Sequence, residues 1–317
     1  MKDSVELENQ LKKATSDKEK MGALLNLAFH HADDDFIDGW RFGQEALELS
    51  KAMLDKESEA KAHEAIAGCL WKLTDFAVAM EHYELALDIY LSRADLYRAS
   101  KCYCGMGIIH GINEDFQSSL ECFEEGLFAA KKVEKLSFAA TITGNIGHVY
   151  LKIGRYADAM DCYKYSKDFH EKNGMKKGAA DMLSGMAGVA VLQGDYDRGL
   201  ELARRALEAF KAIGHERGIA VGIMNIGEAQ RRMGKLEDAK KTLIKALNYT
   251  RSINLLMTEP EVLKKLSQVC TELKDQEAGN KYLELYMASE SEEKKESLRK
   301  RSEQSDRFRR VQRDMNK

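Results

Sequence analysis

Residues 145–166 read NIGHVYLKIGRYADAMDCYKYS, and their small and aromatic side chains return in register along the chain. In steps of 40 residues, Ser166 aligns with Ala46, Ala86, Gly126, Ala206 and Ala246, and Ala159 aligns with Gly39, Ala79, Ser119, Gly199 and Ala239. A further small column reads Ala67, Gly107, Gly147, Ala187 and Gly227. A mostly bulky one reads Tyr83, Phe123, Tyr163, Ala203 and Leu243, and Tyr156 shares its column with Phe76, Phe116, Tyr196 and Leu236. A small residue at a fixed period means that two helices approach closely in every copy, because a larger side chain would hold their backbones apart. The chain therefore reads as a stack of helical hairpins.

The spacing of Ile146, Gly147, Tyr150, Gly154, Ala159, Tyr163 and Ser166 resembles the tetratricopeptide repeat family, with Ser166 in place of the usual alanine. The resemblance covers roughly residues 20 to 287 and implies an all-α, right-handed superhelical solenoid of antiparallel helix pairs. The usual unit is about 34 residues with a proline near its end; here the period is 40 and the single proline is Pro260. The additional residues are expected around the turn between units. Asn173-Gly174 followed by Gly178, echoed by Gly214 and Gly218, indicates longer helices joined by a glycine-bearing connection. Such a unit is similar to those of spindle-orientation scaffolds, kinesin light chains and bacterial signalling regulators.

The expected organisation is a capping helix over residues 1–16, an array of about seven hairpins over 17–287, and a charged helix or tail over 288–317. Asp3 and Glu6 are placed to cap the first helix, on which Val5, Leu7 and Leu11 form an apolar face. In the tail, a heptad set on Leu298 continues through Arg301, Ser305, Phe308, Gln312 and Met315, too polar a seam for a self-sufficient coiled coil. With 44% hydrophobic and 32% charged residues and a net charge of -3, nothing global favours nucleic acid or an anionic membrane. The chain lacks a long apolar run and a basic leader, which gives a cytoplasmic expectation. Cys69, Cys102, Cys104, Cys122, Cys162 and Cys270 fall at helical positions and read as reduced core residues, Cys102 and Cys104 pointing away from each other on one helix.

No phosphate loop, nucleophile elbow or zinc-binding pattern is present in the sequence, so no catalytic residue, metal or cofactor is assigned. The nearest metal-like cluster is His30-His31 with Asp33, Asp34 and Asp35, read as a solvated turn. Function then rests on a surface. In the family, first helices line a concave groove that suits an extended peptide or a partner helix. The corresponding positions here are Asn26, Lys61, Glu64, Lys101, Asn145, His148, Lys152, Asn225, Glu228, Arg231 and Arg232, with Gly68 and Ser184 on the same wall. Two readings of Asn145 and Asn225 stay open: an amide that grips a ligand's backbone, or one that bonds to the neighbouring helix and fixes the stack. Glu64 and Cys104 interrupt Lys61 and Lys101, which disfavours a carboxylate clamp for chaperone tails within that groove. The resemblance implies a non-enzymatic module that binds a peptide or protein in signalling or regulation, with output or self-association through 288–317. The alternatives are a permanent structural adaptor and, ranked last, nucleic-acid binding by the basic residues of the tail.

Overall fold

The structure, a computed structural model, describes residues 4–31, 36–72, 75–253 and 258–289. These form helices without any strand among the described residues. In order they are α1 (Ser4–Lys13), α2 (Asp17–His31), α3 (Phe36–Ala52), α4 (Lys56–Lys72), α5 (Phe76–Ser92), α6 (Leu96–Ile112), α7 (Phe116–Lys132) and α8 (Leu136–Lys152). There follow α9 (Tyr156–Lys172), α10 (Lys176–Leu192), α11 (Tyr196–Ala212), α12 (Glu216–Arg232), α13 (Leu236–Ser252), α14 (Glu259–Glu272) and α15 (276–289). Two compact units are present, one ending at Ile142 and one beginning at Thr143, so the boundary falls inside α8. Of the charged segment expected over 288–317, residues 290–317 lie outside the described residues, as does the Asp3 cap.

From α4 to α13 every helix has 17 residues and starts 20 after the last. Among the described residues the three-residue connection has the same form within a hairpin and between hairpins. Its middle residue takes a left-handed backbone, with φ of 80° at Gly154, 69° at Gly174, 86° at Gly194 and 65° at Gly214, but also 57° at Ala94 and 61° at Glu114. That conformation lets the next amide reach back to the helix end, as Asp95 N–H does to the Tyr90 carbonyl at 2.9 Å and Asp195 N–H to Ala190 at 2.9 Å. The third residue caps the following helix: Asp75, Asp95, Asp115 and Asp195 each accept from the amide three residues on, and the His215 ring does the same for Gly218. The extra residues of the 40-residue unit thus lengthen both helices equally; they are not gathered at the turn between units.

The small columns sit where helices cross. Ala46, Ala86, Ala206 and Ala246 are fully buried, as are Ala79, Ala159 and Ala239. A Cβ added to Gly126 would lie 3.2 Å from the Ser100 carbonyl, and one added to Gly199 would lie 2.5 Å from the Val191 side chain. Ser119, in the same column, donates to the Gly107 carbonyl at 2.7 Å, which only a short side chain can do across so close a contact. The column of Gly107, Gly147 and Gly227 receives the bulky one: Phe123, Tyr163 and Leu243 stand 2.7–2.9 Å from where those Cβ atoms would be. Gly178 and Gly218 have a related purpose. They seat the rings of His170 and Phe210, which come within 2.7 and 2.3 Å of the added Cβ.

In the first unit the core runs from Leu7 of α1 through Trp40, Ile66 and Tyr90 to Ile109 of α6. Leu7 is buried while Val5 is 61% exposed, so α1 uses Leu7 and the partly buried Leu11 as its apolar face. The second unit has one cluster around Tyr163, Met186 and Phe210 and another around Leu243, Leu263 and Leu266. Cys69, Cys102, Cys104 and Cys270 are buried, and Cys122 and Cys162 are half-buried.

Two outcomes check this account by denaturant unfolding. Ala159→Leu and Ala206→Leu each lower stability by about 1–3 kcal/mol through overpacking; unchanged stability contradicts the close approach. At the turns, Gly194→Ala is destabilising by about 1 kcal/mol although its Cβ meets nothing within 4 Å, and Glu114→Gly is stabilising by a similar amount. Equal effects at both positions contradict a backbone origin.

Candidate functional site

In the first unit, the expected wall residues on α4 and α6 are largely committed to one another. Glu64 is 8% exposed and accepts from the Tyr90 hydroxyl at 2.7 Å and the Arg98 guanidinium at 2.7 Å, with Lys101 Nζ at 4.0 Å. Arg98 in turn lies 5.8 Å from the ring centroids of Phe29 and Tyr90. A carboxylate so placed clasps α4, α5 and α6 together and is largely withdrawn from solvent. Burial, and then the charge of Glu64, push the Tyr90 hydroxyl well above its ordinary pKa. Lys61 pairs with Glu57, which also accepts from Arg93, just past the end of α5, at 3.2 Å. Asn26 stands apart on α2, exposed.

Between α4 and α5, His63 and His82 share a hydrogen bond with their Nδ1 atoms 2.8 Å apart. Burial and the neighbouring His82 lower the pKa of His63 to about 4. The pair therefore favours its neutral form and joins the two helices. Among the described residues no group of three or more His, Cys, Asp or Glu is placed to hold a metal, and the acids after His31 lie outside them.

The second unit is more open. On α8, Asn145 is half-buried, Lys152 is exposed, and His148 presents an edge to solvent while its Nδ1 meets the Tyr163 hydroxyl at 2.8 Å. Desolvation lowers the His148 pKa. The Asn225 amide on α12 donates to Ser184 Oγ on α10 at 3.0 Å, so this asparagine does bond across to the neighbouring first helix. Gly188 follows Ser184 by one turn and shares its face. A Cβ added to Gly188 meets nothing within 4 Å, whereas at Gly185 it would lie 2.8 Å from the Tyr163 ring. Gly68 on α4 is likewise unopposed. Glycine inside a helix costs about 1 kcal/mol relative to alanine, and at these two positions packing supplies no reason for it.

The basic residues at the end of α12 belong to a network with acids. Glu228 accepts from Arg231 at 2.7 Å and from Arg232 at 2.9 Å, Lys265 of α14 lies 3.6 Å away, and Arg231 also bonds Glu272. Burial alone would raise the Glu228 pKa; the Arg231 hydrogen bonds, the charge of Lys265 and the Arg232 bond overcome it and hold the carboxyl at about 2. Arg98, Tyr90, Lys265 and Glu272 were not singled out by sequence reading, although the bond from Asn225 to Ser184 and the one from Arg231 to Glu272 each span 41 residues, one repeat plus one.

Sequence comparison agrees with this geometry: the tetratricopeptide repeat profile matches residues 178–252, and a second profile of the same repeat matches residues 140–164. The hairpins within these residues are tetratricopeptide repeats. No curated protein matches the chain by sequence. Among solved structures, a Rap protein complexed with competence and sporulation factor is similar with a TM-score of 0.71 at 18% identity, over 95% of this chain and 81% of that one. The apo quorum sensor NprR from B. thuringiensis is similar with a TM-score of 0.74 at 19% identity, over 90% of this chain and 80% of that one. The Rap conjugation gene regulator of plasmid pLS20, in complex with the Phr* peptide, gives 0.67 at 13% identity, over 89% and 78%. At these identities the likeness is one of fold: an all-α tetratricopeptide array. No helix among the described residues is long and apolar enough to cross a membrane.

The Glu228 network sets a pH dependence. With its folded pKa below the unfolded value of 4.5, the carboxylate contributes stability that is complete above pH 4.5 and is lost as pH falls toward about 2. Unfolding of Glu228→Gln across this range therefore shows a shallower fall than the parent; identical slopes contradict the pairing.

Proposed function

We propose that this chain is a non-enzymatic regulatory protein of the cytoplasm that recognises a peptide on the first helices of its repeats, with the surface of α10 and α12 as the principal seat. One observation carries the reading. Ser184 and Gly188 on α10 and Asn225 on α12 form a polar, low-relief face whose glycine has no packing purpose. An extended chain needs such a surface: close access to helix backbone at Gly188, and the Asn225 amide oxygen, which makes no other bond, to accept from a peptide N–H. The similar Rap conjugation gene regulator of plasmid pLS20, in complex with the Phr* peptide, supports a peptide as the ligand class.

Glu228, Arg231 and Arg232 act mainly as a brace between α12 and α14 on this reading, and Arg232, the more exposed of the two arginines, is the one available to an acidic group. Asn145, His148 and Lys152 extend the same kind of surface along α8. A permanent adaptor would bury its partner on an apolar face, which these polar residues do not supply. Self-association, output or nucleic-acid binding through the tail concerns residues 288–317, of which 290–317 lie outside the described ones.

The test is selection of short random peptides from a displayed library on the purified chain, followed by affinity measurement with the enriched sequences. Gly188→Leu and Asn225→Ala each weaken binding at least about tenfold, near 1.4 kcal/mol, while the melting temperature is held or raised. No enrichment, or full affinity in both variants, overturns the reading.

A further inference from the structure

Beside Asn26, a cavity of about 410 Å³ opens between α1 and α2. Gln10 and Lys13 line it from α1, and Glu19, Gly22 and Asn26 line it from α2. It is a shallow recess open to solvent, wide enough for one end of a ligand.

Two independent features set this cavity apart. Gly22 lies inside α2, yet a Cβ there meets nothing within 4 Å, because the residue faces the open space. The polar groups around it are also uncommitted. Among the described residues the side chains of Gln10, Lys13 and Asn26 make no hydrogen bond or ion pair, in contrast to those of Glu64, Asn225 and Arg231 elsewhere on the first helices. The one acid of the lining, Glu19, is held by the Thr15 amide at 2.8 Å and the Thr15 hydroxyl at 3.0 Å, and the same donors lower its pKa. What remains free is one ammonium and two side-chain amides, a set of donors that suits an anionic oxygen.

We infer that this cavity binds a carboxylate of a peptide ligand, with Lys13 as the charged partner and Gln10 and Asn26 as the neutral donors. The inference rests on the peptide-binding reading above but concerns a different surface, within the first unit. It gives Asn26 a role distinct from that of Asn225: one asparagine is tied to a neighbouring helix, and the other is open to a ligand. Gly22 keeps the floor of the cavity clear.

The carboxylate has two possible sources, the peptide C-terminus or an Asp or Glu side chain, and synthetic peptides separate them. Peptides enriched on the purified chain are made with a free C-terminus, with a C-terminal amide, and with each Asp or Glu replaced by Asn or Gln. Their affinities are measured by fluorescence anisotropy for the parent, Lys13→Met and Gly22→Leu. The expected result is at least a tenfold loss for one of the two neutralised peptide forms, and a similar loss in both variants for the charged peptide only. Gly22→Ala serves as the folding control and melts at or above the parent temperature. Equal binding of charged and neutralised peptides, or parental affinity in Lys13→Met and Gly22→Leu, overturns the carboxylate site while leaving a peptide site on α10 and α12 intact. Absence of any peptide binding overturns both.

Discussion

Everything in this molecule depends on how closely its helices are allowed to approach. At each crossing a column of alanine, glycine or serine replaces what would otherwise be a bulky side chain, and the buried Ala86, Ala159, Ala206 and Ala246 mark the result. Close approach fixes the hairpin geometry, and the hairpin geometry then brings residues one repeat apart onto adjacent first helices. The bonds between Asn225 and Ser184 and between Arg231 and Glu272 are consequences of that stacking. Packing and recognition are separated by face: the small columns hold the array together, while the polar first-helix positions are left to make or refuse contacts with a ligand.

That separation also explains the distribution of charge. Buried or half-buried ions in a repeat protein need partners from the same or the next helix, because each repeat contacts only its neighbours. Glu64 finds Tyr90 and Arg98, and Glu228 finds Arg231, Arg232 and Lys265. These clusters brace successive hairpins. Groups without such partners, among them Asn26 and Lys13, are the ones whose chemistry remains available.

The fold was legible in the sequence because its signal is periodic. The 40-residue small columns are short-range packing rules repeated many times, and the structure places them in the core. A finer regularity was also present: Asp55, Asp75, Asp95, Asp115, Asp195 and Asp275 are spaced by multiples of 20 and mark helix caps, a grid that locates the connections from α3 to α13. The left-handed turns at Ala94 and Glu114 carry no such signal, since an L-residue is accepted there only because both flanking helices demand it. The site was harder to read. Pairing of Glu64 with Arg98 joins residues 34 apart, and nothing in their local sequence distinguishes a clasp from two solvated charges. Asn145 and Asn225 were visible as a repeated motif, but the partner of Asn225 followed only from the offset between stacked helices. Gly68 was placed on the groove wall by its column, whereas the open space above Gly188 followed only from the packing around it.

The most direct test of a recognition face carried by first helices is hydrogen exchange along the chain, with and without a bound peptide. The account predicts slowed exchange in α10 around Gly188 and in α12 around Asn225, with α11 and α13 little changed. Protection confined to α11 and α13, or spread evenly over both helices of every hairpin, would contradict it.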